Sequence, residues 1–333
     1  MVADGPRVRE FEENFAAYCG ASHGVATSNG TTALHTALEA LDLGPGDRVV
    51  TTPFSFVASS NTIRLAGAEP VFADISRQTF NIDPDSVRSI LESQDIDAIL
   101  AVHLYGLPCD MDELVDISDE YDVALIEDCA QAHGATYKGQ PVGSFGDVAC
   151  FSFYPTKNMT TGEGGMLVTN DEGIAERAES FVNHGRPPSG GYEHIQVGHN
   201  FRMTSIAAAI GSSQLAKLPD YVAERQSTAK QFTEEIETTA VRPPIVPDNR
   251  SHAFHQYTLL ADERDQLLEY LHDNGVGAKV YYPTCIHEQP AYSDSEATAP
   301  TAERVADEVV SIPVHPALSE QDVATIIQAV NGF

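Results

Sequence analysis

The chain has 333 residues, 42% of them hydrophobic, which is enough for a large core and two domains. It carries 49 Asp and Glu against 19 Lys and Arg, a net charge of −30, and a field of that sign repels nucleic acid and anionic membrane surfaces. No apolar run approaches the length of a membrane span.

Residues 7–18 place Val8, Phe11, Phe15 and Tyr18 at helical spacing. A short strand is expected at 24–27. The run Ser28-Asn29-Gly30-Thr31-Thr32 then turns into a helix over 33–43, with Asn29 or Thr31 as N-cap. Strands at 47–51, 70–74, 98–103 and 123–126 alternate with helices at 59–67, 84–92 (capped by Asp83) and 111–121. An apolar run at 148–153 is long enough for a buried strand. It breaks at Pro155, presents Lys157, and passes a loop with Gly162, Gly164 and Gly165 before a strand at 166–169. Helices follow at 174–183, 203–217 and 220–238, the first two separated by a polar loop at 187–199. Pro243, Pro244 and Pro247 mark a linker. Beyond it come a strand at 255–260, a helix at 264–272, a strand at 277–281, and helices at 301–310 and 322–330.

Strands rich in Val, Ile and Leu that alternate with helices indicate an α/β fold with a mostly parallel central sheet covered on both faces. The expected division is a large domain at 1–219 and a smaller C-terminal α+β domain at 220–333. In such sheets the functional loops lie beyond the C-terminal strand ends. Gly30, Thr31, Phe56, His103, Asp128, Ser152 and Lys157 all fall there.

Four of these features suit pyridoxal phosphate. That cofactor needs an amine for its aldehyde, a carboxylate for its pyridine nitrogen, an anion cradle for its phosphate, and a flat surface against its ring. Lys157 supplies an amine on a loop of little bulk, where desolvation lowers the pKa from about 10.4 and makes a nucleophile. Asp128 supplies the carboxylate. The Gly30 and Thr31 amides at a helix start, with the Ser152 hydroxyl, form the cradle. Phe56 offers the flat surface. Each also has a plain structural role open to it: Asp128 as a helix cap, Ser152 as a strand hydroxyl, Phe56 as core, and Lys157 as a surface lysine in a turn.

The chain resembles the DegT/StrS-type sugar aminotransferases, a branch of the fold-type-I pyridoxal phosphate enzymes. The resemblance rests on SNGTTALHTAL from Ser28, GDRVVTTPFSFVAS from Gly46, GAEPVFADI from Gly67 and AVHLYGLPCDMDEL from Ala101. It continues through ALIEDCAQAHGATYKGQPVGSFGDVACFSFYPTKNMTTGEGGML from Ala124, GHNFRMTSIAAAIGSSQL from Gly198, and YYPTCIHEQPAY followed by SIPVHPALSEQDV. These segments cover nearly the whole chain in order.

The resemblance implies that Lys157 is the Schiff-base lysine and that Asp128 pairs with the pyridine nitrogen. It places Gln131 near the ring hydroxyl and face, and Phe56 in the stacking position. Gly30, Thr31 and Ser152 would contact the phosphate. Asn200 would reach the phosphate of the neighbouring subunit's cofactor, which makes the site a property of a homodimer. Tyr105, Arg202, Tyr282 and His287 would lie near the substrate. The implied reaction is transamination from an amino donor, glutamate, to a keto group of a nucleotide-linked sugar, with Lys157 moving the proton as base and acid. Lys157 argues against relatives that carry histidine there and dehydrate their substrate. The family usually carries a further N-terminal segment before the helix that begins near Arg7, and more residues after Thr238. Alternatives are an aminotransferase acting on a keto-inositol or other cyclic ketone, a non-catalytic regulator of the same fold, and a Schiff-base aldolase without the cofactor.

Five cysteines (Cys19, Cys109, Cys129, Cys150 and Cys285) without paired short spacing read as reduced thiols, neither a disulfide framework nor a zinc site, and no metal is expected. With no signal peptide in view, the expected location is the cytoplasm. Five lysines in so acidic a chain point to a salty cytoplasm that screens self-repulsion. Stability is therefore expected to rise between low and multimolar salt, and equal unfolding midpoints in both would contradict it.

Overall fold

The computed structural model describes Val2 and residues 5–333. In chain order it opens with α1 (Pro6–Cys19), β1 (His23–Thr27), α2 (Gly30–Ala40), β2 (Arg48–Thr51), α3 (Ala58–Ala66) and β3 (Glu69–Phe72). Next come α4 (Pro84–Leu91), β4 (Ala98–Val102), α5 (Met111–Tyr121) and β5 (Ala124–Asp128). Two short strands, β6 (Thr136–Tyr137) and β7 (Gln140–Pro141), precede β8 (Val148–Ser152), β9 (Gly165–Thr169), α6 (Glu172–Val182), α7 (Ser205–Leu215) and α8 (Leu218–Glu235). The chain ends with β10 (Val241–Arg242), β11 (Arg250–Ser251), β12 (Tyr257–Ala261), α9 (Arg264–Asp273), α10 (Pro300–Glu308), β13 (Val309–Ile312) and α11 (Glu320–Asn331).

Seven strands form the central sheet in the order β1-β9-β8-β5-β4-β2-β3. Pairings from β3 through β8 are parallel, and β9 runs antiparallel to both β8 and β1. The sheet is therefore mostly parallel, as expected. Strands β4, β8 and β9 are buried along their whole length, which is why they read as continuous apolar runs. One face packs on α1 and α7 through Phe11, Phe15, Phe151, Phe153 and Ala208. Another core gathers Leu34, Leu38, Val49, Leu100 and Leu167 beneath α2. A separate core of Phe232, Tyr257, Leu267, Val310 and Ile327 surrounds the antiparallel sheet β10-β12-β13.

Two sequence expectations fail in this C-terminal part. Residues 277–281 are not a strand: Lys279 makes only an isolated bridge with Ser311. Val309 and Val310, expected at a helix end, instead open β13 and pair with Leu260 and Leu259. A β-branched pair at the last turn of α10 is worth more buried in a sheet than in a helix terminus, so tertiary pairing overrides the helical pattern.

Candidate active site

The ends of β2, β4, β5 and β8 and the start of α2 surround one cavity of about 900 Å³. That volume suits a small cofactor with part of a substrate. Lys157, Asp128, Gln131, Gly30, Thr31, Phe56, Ser152, Tyr105 and Tyr282 all line it.

Asp128 is the last residue of β5. Alternation along that strand sends Glu127 and Asp128 to opposite faces. Glu127 is fully buried and accepts from the amides of Gly143, Phe145 and Gly146 and from the His103 ring. The Cys109 amide donates to His103 Nδ1 at 3.0 Å, so the ring proton sits on Nε2 and goes to Glu127. His103 is thus a structural partner of Glu127. Cys129 joins this buried group, its ligand atom within 4.8 Å of the other two, but the polar atoms of His103 and Glu127 are already hydrogen-bonded.

Asp128 faces the cavity. Ser59 donates to its Oδ2 at 2.8 Å and the Ala130 amide to its Oδ1 at 3.1 Å. Burial nevertheless pushes its carboxyl above the usual carboxylate range, against the pull of Ala130, Ser59, Lys157 and His103. A desolvated carboxylate with no ion pair among the described residues fits a cationic group placed in the cavity.

Lys157 lies beyond the end of β8. Its loop is pinned by Phe153 N–H to the Gly164 carbonyl at 2.8 Å and by Thr161 N–H to the Phe153 carbonyl at 3.1 Å. The side chain is half-buried because it borders the cavity, while its amine is enclosed. Desolvation lowers that amine's pKa to about 8, with Asp128 pulling the other way. Covalent labelling of Lys157 in the cofactor-free protein should accordingly reach half its maximal rate near pH 8. A half-point near that of a free lysine side chain, about 10.4, would contradict this burial.

A cradle able to take an anion follows from helix capping at the start of α2. Asn29 caps α2, its side chain accepting from the Thr32 amide at 2.9 Å and its carbonyl from the Ala33 amide at 3.1 Å. Gly30 and Thr31 are the first two helical residues, and their amides have no intrahelical acceptor. Gly30 packs over Ser152 so closely that a Cβ would stand 2.6 Å from the Ser152 Cβ. Gly30→Val is expected to weaken retention of pyridoxal phosphate about 10-fold or more, the scale of one lost hydrogen bond to a charged group. Unchanged cofactor affinity by absorbance titration would contradict the cradle.

The cavity wall is otherwise aromatic and amide. Gln131 Oε1 accepts from the Tyr105 amide at 2.8 Å, and its Nε2 donates to the Tyr282 hydroxyl at 3.2 Å. Phe56 is 54% exposed, with one neighbour ring, Tyr282, at 6.3 Å. A large aromatic left open beside a cavity is a face for a flat ring. Amine, carboxylate, cradle and aromatic face together fit pyridoxal phosphate.

Arg202 and His287, expected near the substrate, do not line this cavity, and neither does Asn200, which was expected at the neighbouring subunit's site. Arg202 donates to Asn183 at 2.7 Å and borders a second cavity of about 280 Å³. Asn200 is exposed and bridges to Asn183. His287 is buried against Phe72, its Nε2 3.1 Å from Glu303. Conversely, Ser59, His255, Gln256 and Glu163 line the cavity without having been singled out. Ser59 read as an ordinary helix residue, and His255 as the start of a strand that in fact begins at Tyr257.

Comparison with known proteins agrees with this geometry. The profile of the DegT/DnrJ/EryC1/StrS aminotransferase family matches residues 1–331. The chain belongs to this family. A pleiotropic regulatory protein of Geobacillus stearothermophilus is 39% identical over 336 residues, covering 99% of this chain and 90% of that one. A GDP-perosamine synthase of Escherichia coli O157:H7 is 36% identical over 340 residues, covering 100% and 92%. The crystal structure of S. venezuelae DesV in complex with a ketimine intermediate superposes with a TM-score of 0.95 at 34% identity, covering 100% of this chain and 90% of that one. As a DegT/DnrJ/EryC1/StrS aminotransferase, the protein depends on pyridoxal phosphate.

Proposed function

We propose that this aminotransferase moves an amino group from an amino-acid donor, glutamate, to a keto group of a nucleotide-linked sugar. The observation that carries the reading is the shared cavity of Lys157 and Asp128, with the α2 cradle at its edge. The GDP-perosamine synthase similarity supports a nucleotide-sugar acceptor.

Pyridoxal phosphate supplies an electron sink for the pair left when a Cα–H bond breaks. Lys157 would hold the cofactor through its amine, Asp128 would face its ring nitrogen, and Gly30, Thr31 and Ser152 would hold its phosphate. Phe56 and Gln131 would flank the ring, with Tyr105 and Tyr282 toward the substrate. Lys157 is the base: with its pKa lowered to about 8, a useful fraction of its amine is unprotonated near neutral pH. It would take the proton from the donor carbon and pass it on to the cofactor's C4′ carbon. Asn200, Arg202 and His287 stand outside the cavity of their own chain. A homodimer in which Asn200 reaches the neighbouring subunit's site gives an exposed side chain a task. Exposed Ile206 and Ile210 on α7 suit such a contact. Large and small domains would divide at 219/220, within α8, and the enzyme would work in the cytoplasm.

The regulatory relative favours a second reading, a regulator that retains the fold. Intact Lys157 and Asp128 weigh against it. The test is turnover with 3-keto and 4-keto nucleotide sugars, using glutamate and glutamine as donors. Amination of one such sugar with release of 2-oxoglutarate is expected. Amination of a keto-inositol only, or of nothing, would overturn the acceptor.

A further inference from the structure

The segment Ala253–Gln256, just before β12, is fixed against the site with unusual care. Asn158, the residue after Lys157, donates its side-chain amide to the Ala253 carbonyl at 2.9 Å. The Ala253 amide donates to the Gly106 carbonyl at 2.9 Å, and the Gln256 amide to the Tyr105 carbonyl at 3.2 Å. Arg225, buried in α8, donates to the Phe254 carbonyl at 2.9 Å. Gly106 makes the approach possible, since a Cβ there would stand 3.1 Å from the His255 amide and 3.0 Å from the Gln131 carbonyl. Phe254 has φ of +43°, a left-handed conformation that bulky residues rarely take. Strain of this kind persists only where surrounding contacts enforce it.

The residue these contacts deliver is His255. It lines the Lys157 cavity, yet the residue as a whole is only 8% exposed. Its Nδ1 is fully enclosed without a partner, which leaves Nε2 as the ring nitrogen that can reach the cavity. The charged and titratable groups around the ring are Lys157 and Arg225, then His133 and His252, and Asp128 acts on Lys157 from β5. Burial and those cations hold His255 neutral. A neutral imidazole always keeps one nitrogen with a free lone pair.

We propose that His255 is a positioning residue for Lys157: its ring lone pair accepts a hydrogen bond from the lysine ammonium while that group holds the proton taken from the donor carbon. No bond to His255 is made or broken, and the proton stays on Lys157 until Lys157 passes it on to the cofactor. The proposal rests on Lys157 being the base.

The test compares His255→Phe and His255→Asn with the natural holoenzyme. For His255→Phe, the half-reaction with glutamate in a single turnover is expected to slow about 10- to 100-fold, the low end for losing a proton-transfer aid. The ammonium loses its acceptor, so the acid limb of the pH profile should move to lower pH. The labelling half-point of Lys157 should fall with it, and cofactor affinity should change less than about 3-fold, below the loss of one charged hydrogen bond. His255→Asn presents a carbonyl acceptor and should recover most of the rate and return the limb toward its place. A His255→Phe enzyme with unchanged rate and superimposable profile overturns the proposal, as does a His255→Asn enzyme no better than His255→Phe. Should His255→Phe fail to fold, His255→Leu, smaller and likewise without an acceptor, takes its place with the same expected and overturning results. Lys157→Ala separates the two readings: if it keeps the natural half-reaction rate, the assignment of Lys157 itself is wrong; if it is inactive while His255→Phe is normal, only His255 is misassigned.

Discussion

Replacing Lys157 with alanine should abolish transamination, a loss on the order of 10⁴-fold, the upper range for removing a general acid–base group. The physical reason is that, in the proposed function, one amine would serve two tasks, holding the cofactor and carrying the proton. Lys157→Arg should fare no better, because a guanidinium stays protonated and cannot act as base. The fold should not suffer. An amine driven down to about pH 8 by desolvation costs folding energy when it must be charged. The cofactor-free Lys157→Ala protein should therefore melt no lower than the natural one at pH 7. Steady-state turnover and thermal unfolding check both halves, and a variant that keeps a tenth of its activity would contradict the assignment.

Asp128→Asn should lower turnover about 10²- to 10³-fold, the scale of removing one electrostatic contact from a dry site. The amide keeps the shape of the side chain but not the charge that would face a protonated ring nitrogen. The same substitution should have the opposite effect on the cofactor-free protein. Asp128 has its folded pKa raised by burial, so its contribution to stability is complete below the unfolded pKa and is lost as pH rises through the folded value. Asp128→Asn removes that loss. The natural apoprotein should thus lose ground to the variant as pH climbs above the ordinary carboxylate range. Parallel stability curves for the two across that range would show that burial does not strain this carboxyl.

Much of this was legible in the residues. The parallel strands announced themselves as short apolar runs because a sheet covered on both faces needs no alternation. The strand-end positions of Asp128, Ser152 and Lys157 followed from that reading, and each borders the cavity. An N-cap at Asn29 or Thr31 was legible because a side-chain acceptor before a run of small residues has few other uses, and Asn29 takes the role. What stayed hidden depends on distant contacts. Nothing near Ser59 shows that its hydroxyl will meet a carboxylate 69 positions away. Val309 and Val310 belong to β13 only because β12 is there to pair with them. His255 looked like the first residue of a strand. Its place in the wall of the Lys157 cavity is set by Asn158, Gly106 and Arg225, which lie far from it in sequence. His287, by contrast, sat in a segment resembling substrate-binding residues, yet its buried ring turns to the partly exposed Glu303 and does not line the cavity.

The most direct measurement is to reduce the purified holoenzyme with borohydride and map the modified peptide by mass spectrometry. The expected result is a bleached visible band and a single phosphopyridoxyl group on Lys157. Attachment to Lys138, Lys217, Lys230 or Lys279 instead, or no attachment at all, would contradict the claim that the amine beyond β8 holds the cofactor.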